Sequence, residues 1–189
     1  MGYTAGKYLR DAADAWYDEG RRVKERNIYR EEGGIVSTPT DRLASAGLVL
    51  PEPPSALGDY LPAVRAGSLV FTSGQLPIRD GVLVTSGLVG AEVTPETARE
   101  CARVAAVNGL AAASTVCDLE EVAGVVKLVG YVASAAGFTG QPQVIDGASE
   151  VLLTAFGRAG RHAREAVGVA QLPKGAPVEV SIVLVLKDR

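Results

Sequence analysis

The strand-like run VEVSIVLVL at 178–186 alternates so strictly that one of its sides is wholly apolar. Val178, Val180, Ile182, Leu184 and Leu186 point one way; Glu179, Ser181, Val183 and Val185 point the other. A strand with a continuous apolar side needs a second layer to cover it, and helices are the usual cover. Two segments qualify. Thr94 and Pro95 open a helix that reaches about Thr115, with a hydroxyl at the cap and proline at the first position. Ala98, Cys101, Val104, Ala105 and Leu110 form its buried stripe, while Asn108 and Gly109 weaken its middle without ending it. The stretch 144–156 is also helix-like, with Val144, Leu152 and Phe156 apolar.

Tyr60–Arg65, Leu69–Ser73 and Val82–Thr85 are short β-prone runs separated by Gly67 and by the Arg79-Asp80-Gly81 turn, and they predict a meander. Residues 122–134 are the most β-branched stretch, and a further strand precedes the last one. The order β-β-β-α-β-α-β-β predicts an α+β fold with helices on one face of a mixed sheet. Before it, Leu9, Ala12, Ala13, Trp16 and Tyr17 make one apolar stripe on a polar, aromatic-rich segment at residues 3–32. That stripe is either a loose extension or an arm laid on its own domain or on a neighbouring subunit, and it is a candidate docking segment for a protein partner. Thr38, Pro39 and Asp41 start a short helix that Gly47 stops, and 51–57 is a proline-rich link. The division is a helical extension and linker at 1–56 and one domain at 57–189.

A net charge of −3 and the lack of a basic track interleaved with aromatics argue against nucleic acid as a partner. Cys101, Cys117 and a single histidine, His162, do not make a zinc site, so no metal is expected. Thiols used as ordinary small hydrophobes fit a cytoplasmic protein, and no apolar run approaches a membrane span.

The polar groups of the last two strands form the candidate site. Within 162–187, Arg164, Ala166 and Gly168 share one side of a strand, and Glu165 points away from them. Arg164 and Glu179 are expected on adjacent strands around a Pro-Gly turn, opening into one cavity on the same side of the sheet. A guanidinium there offers a two-donor fork for a carboxylate, with room beside the small Ala166 and Gly168. The bland alternative is an ion pair that joins sheet neighbours or subunits. Tyr60 either supplies a hydroxyl to the pocket or is a half-buried aromatic. Ser73-Gly74-Gln75 is a candidate turn with N–H groups facing a ligand, and His162 is expected to bond locally.

Two blocks, GDYLPAVRAGSLVFTSGQLP at 58–77 and AREAVGVAQLPKGAPVEV at 163–180, closely resemble the Rid family, also called YjgF-like or L-PSP, of enamine/imine deaminases. The resemblance covers roughly 57–187. It implies a chorismate-mutase-like fold, a homotrimer with clefts between subunits, and no metal or organic cofactor. It also implies that Arg164 binds the carboxylate of a small 2-imino or 2-oxo acid and that Glu179 helps water attack the imine carbon. Tyr60, Gly74, the backbone of Ala166 and Ser149 match cleft positions of that family, and Ser73 beside Gly74 is a further candidate for substrate binding. The chain departs from the family's pattern at Leu61-Pro62 after the tyrosine, at His162 and Glu165 around the arginine, at Ser149 where asparagine is typical, and at Ser181 in place of a second glutamate. These departures, and VGYVASAAGFTGQPQVIDGAS at 129–149, mark a divergent subgroup with an N-terminal extension. The expected reaction is hydrolytic deamination to a 2-oxo acid and ammonia. The alternatives are a metabolite-binding or partner-docking protein, and a hydrolase or cyclase acting on a larger imine or carbonyl intermediate.

Overall fold

A computed structural model of the chain describes residues 37–53 and 59–188. The apolar stripe expected within residues 3–32 lies outside the described residues.

The first described element shows how local chemistry sets its ends. Helix α1 (Pro39–Ser45) starts where Thr38 accepts from the Asp41 backbone N–H at 3.0 Å and Asp41 returns a bond to the Thr38 N–H at 3.0 Å. Its Leu43 is fully buried, and the Arg42 Nε donates to the Ala155 carbonyl at 2.8 Å, a group left open by the end of another helix. The short helix is thus part of the core unit that begins at Ser37.

Strand β1 (Ala63–Ala66) begins only after Pro62, whose ring removes the N–H a ladder needs. It turns at Gly67 into β2 (Leu69–Thr72). The third predicted strand does not continue this meander. Residues 78–83 instead form a separate two-stranded hairpin, β3 (Ile78–Arg79) and β4 (Val82–Leu83). Asp80 and Gly81 carry φ values of 53° and 79°, the paired positive angles of a tight hairpin turn, so the chain folds back at once and does not reach the main sheet. Helix α2 (Pro95–Ala113) follows with Thr94 capping the Thr97 N–H at 3.2 Å, then β5 (Val122–Ala133), helix α3 (Gln141–Phe156), β6 (Ala163–Val169) and β7 (Val178–Leu186).

The five-stranded sheet runs in the order β1-β2-β7-β5-β6, with β5 and β6 parallel and the other neighbours antiparallel. The β7 alternation behaves as the sequence predicts: Val178, Val180, Ile182, Leu184 and Leu186 are buried, and the residues between them are only partly covered. Helix α2 lies over β7, and α3 lies over β5 and β6. Gly130 on β5 lets α3 come close, since a Cβ there would stand 2.4 Å from the tip of Ile145. The opposite face of the sheet carries no layer among the described residues, and it exposes Val64, Phe71 and Val167. No described helix is long and apolar enough to cross a membrane.

Candidate functional site

Two places hold the predicted site residues, and they lie on opposite faces of the sheet. Strands β6 and β7 are not neighbours, because β5 runs between them. Arg164 pairs with Leu128, which pairs with Ile182, and both of these are buried under the helices. Glu179 pairs with Tyr131, which pairs with Val167, on the uncovered face. The expectation that Arg164 and Glu179 share a side and a cavity within one chain is therefore corrected. The parity within each strand was right. What parity alone omits is the slot left between the two strands and the register that β5 imposes on both.

The first place centres on Arg164, near the start of edge strand β6. Its Nη1 donates to Asp146 Oδ1 at 2.6 Å and to Ser149 Oγ at 3.2 Å. Asp146 and Ser149 are three apart on α3 and so lie on one side of that helix. Ser149 Oγ also meets His162 Nε2 at 3.1 Å, and His162 Nδ1 reaches the Gly160 carbonyl at 2.6 Å. The Arg164 side chain is 29% exposed, so the guanidinium is anchored on one side and open on another. Ala166 is on the same face, partly covered and packed on the core. Glu165 points the other way, as predicted, and pairs with Lys127 at 2.5 Å.

The second place centres on Glu179. After Phe71 pairs with Val183, the next contact is Gln75 with Val180, a one-residue slip in register that puts a bulge at 72–74. Thr72 Oγ1 fills the gap by accepting from the Ile182 N–H at 2.9 Å. Gly74 is then pressed against the acid: a Cβ at this glycine would lie 1.8 Å from Glu179 Oε1. No described residue bonds or pairs with the half-buried Glu179 carboxylate, and burial pushes its pKa above the usual 4.5. Ser73 turns its hydroxyl to the Leu61 carbonyl at 2.7 Å and its N–H to the Pro62 carbonyl at 2.8 Å, tying the bulge to the strand entrance. Tyr60 stands beside that entrance, about half exposed at 49%.

Asn108, predicted only as a weak point in its helix, is buried and donates to both the Leu76 and Ile78 carbonyls at 2.9 Å. It holds the segment that leaves the bulge. Asp146 is the other participant that sequence reasoning missed; its spacing from Ser149 was visible, but its pairing with Arg164 depends on where α3 crosses β6. Among the described residues no group of three or more His, Cys, Asp or Glu side chains is placed to hold a metal ion. A cavity of about 330 Å³ lies elsewhere, lined by Gly87, Leu88, Glu92, Gln171 and Leu172. None of the predicted site residues lines it.

Comparison with known proteins places these features in a family. Residues 40–184 match the family described as "YjgF/chorismate_mutase-like, putative endoribonuclease". Protein TCP17 of Trypanosoma cruzi is 39% identical over 148 residues, which is 77% of this chain and 92% of that protein. The crystal structure of Atu1372 from Agrobacterium tumefaciens, a protein of unknown function, is 40% identical with a TM-score of 0.73 over 79% of this chain and 92% of that one. A crystal structure from Shewanella oneidensis, with the same endoribonuclease description, is 35% identical with a TM-score of 0.77 and covers 79% of this chain and all of that one. By sequence and by its α+β sheet with helices on one face, this chain belongs to the YjgF/chorismate mutase-like family.

Proposed function

We propose that the protein hydrolyses small carboxylate-bearing enamine or imine intermediates, of the 2-aminoacrylate type, to 2-oxo acids and ammonia. The observation that carries this reading is the Glu179 carboxylate: half-buried, unpaired among the described residues, raised in pKa and held against a glycine on an open face. A carboxylate whose burial raises its pKa holds a proton more readily than an exposed one and is suited to exchanging it with water. In the reaction it takes a proton from water as the water oxygen bonds to the imine carbon. It returns the proton to the nitrogen, and the resulting carbinolamine collapses to the carbonyl and ammonia. Arg164 contributes the receptor for the substrate carboxylate, and the backbone of Gly74 and Ala166 and the Tyr60 hydroxyl complete the cleft.

Because one chain holds Arg164 and Glu179 on opposite faces, the reading requires the two groups to meet between chains. A homotrimer with clefts between subunits meets that requirement. It is supported by the uncovered sheet face with Val64, Phe71 and Val167 exposed and by the position of Arg164 on an edge strand. The test is release of ammonia from freshly generated 2-aminoacrylate by the purified full chain. Arg164→Ala and Glu179→Gln should each lower the rate at least about a hundredfold without loss of assembly. Turnover by both variants at the parent's rate would end the assignment.

The separation of the two groups also favours a second reading, a non-catalytic 2-oxo acid binder that uses Arg164 alone. Binding of a 2-oxo acid without ammonia release would establish it.

A further inference from the structure

The bonds around Arg164 constrain how it can hold an anion. A guanidinium has five N–H groups, two on each terminal nitrogen and one on Nε. Both hydrogens of Nη1 are committed, one to Asp146 Oδ1 at 2.6 Å and one to Ser149 Oγ at 3.2 Å. No described residue accepts from Nη2 or Nε. A carboxylate can dock end-on across the two terminal nitrogens, or side-on across Nε and Nη2. Only the side-on edge is left with both of its donors.

His162 sets the direction of the bonds that hold this arrangement. Its Nδ1 lies 2.6 Å from the Gly160 carbonyl oxygen, which can only accept, so Nδ1 carries the proton. In the neutral ring Nε2 is then an acceptor. The Ser149 hydroxyl, 3.1 Å away, donates to it, and a Ser149 lone pair is left facing Arg164 Nη1. The bonds run one way, from Arg164 through Ser149 and His162 to Gly160. Without the histidine the hydroxyl is free to rotate, and its lone pair is no longer fixed toward the guanidinium.

We infer that Asp146, Ser149 and His162 are positioning residues that grip Arg164 by Nη1, so that a ligand carboxylate docks side-on across Nε and Nη2. Ser149 thereby acts on the arginine instead of on the ligand. The inference rests on the reading of Arg164 as the carboxylate receptor.

The experiment titrates the ¹⁵N-arginine-labelled full chain with 2-oxobutyrate and follows the Arg164 Nε–H resonance, assigned by its loss in Arg164→Lys. Side-on docking should move that resonance as the ligand saturates. Ser149→Ala and His162→Phe should weaken 2-oxobutyrate binding by about tenfold or more, the effect of losing one hydrogen bond to a charged group. His162→Gln, whose amide oxygen can accept where Nε2 does, should recover affinity to within about twofold of the parent. Melting temperatures near the parent's confirm that each variant is folded. The inference is overturned by an unmoved Nε–H resonance in a protein that binds 2-oxobutyrate, or by parental affinity in both Ser149→Ala and His162→Phe. Parental binding by Arg164→Ala, or none by the parent, would instead overturn the receptor reading on which it rests.

Discussion

Glu179 shows how one residue type at one position sets the character of a site. Its carboxylate occupies space that any side chain at position 74 would need. Gly74→Ala should displace it, but the clash is with the far end of a flexible side chain. The expected result is a loss of under about 1 kcal/mol in denaturant unfolding, together with a rate at least about tenfold lower. A second expectation concerns pH. Burial holds the folded-state pKa of Glu179 above the ordinary 4.5, so between those two values the folded chain binds more protons than the unfolded chain. Stability is therefore lost as pH rises through that window. Glu179→Gln removes the cost: thermal melts should place the variant above the parent at neutral pH and converge with it below about pH 4. A variant less stable than the parent at neutral pH would show that the carboxylate has a partner after all. The glycine, the acid and the arginine were all legible as candidates. The clash at Gly74 was not, because it arises from a register slip between residues more than a hundred positions apart.

At the scale of elements, local signals were reliable where they were chemical. The Thr38 and Thr94 caps stand where the sequence puts them, and the Asp-Gly turn at 80–81 closes the hairpin its dipeptide implies. The same turn removed Val82 and Leu83 from the main sheet, since pairing with Ile78 and Arg79 satisfied them locally. Asn108 reverses its sequence-based reading. A residue that weakens a helix by propensity is retained here as a buried clamp on the Leu76 and Ile78 carbonyls. Asn108→Ala leaves both without that donor and should cost about 2–3 kcal/mol in chemical denaturation. A cost of only a few tenths would mean that the segment after the bulge is held by other contacts.

For the whole molecule, the question is what covers the open sheet face. A face that exposes Val64, Val167 and Phe71, the last 42% exposed, is a surface that a second copy of the chain is suited to bury. Phe71→Asp places a charge there, and if the proposed trimer forms through this face sedimentation should show it breaking down toward the mass of a single 19.6 kDa chain. Unchanged mass would remove this face from the interface and, with it, the support it lends to a site shared between subunits. Deleting residues 1–34 asks the matching question of the N-terminal stripe: a lower melting temperature or a looser oligomer is expected if it packs on a subunit.

The sequence by itself determined the layer architecture, the starts of the two threonine-capped helices and which side each strand residue takes relative to its own neighbours. These depend on period, caps and turn dipeptides, all of which act over a few residues. Only the tertiary structure decided that β5 lies between β6 and β7, placing Arg164 at the edge of the helix-bearing face and Glu179 on the open face. Alternation along a strand says which residues agree with one another. It does not say to which face of the sheet they are turned, because that is settled by pairing with a strand distant in the chain.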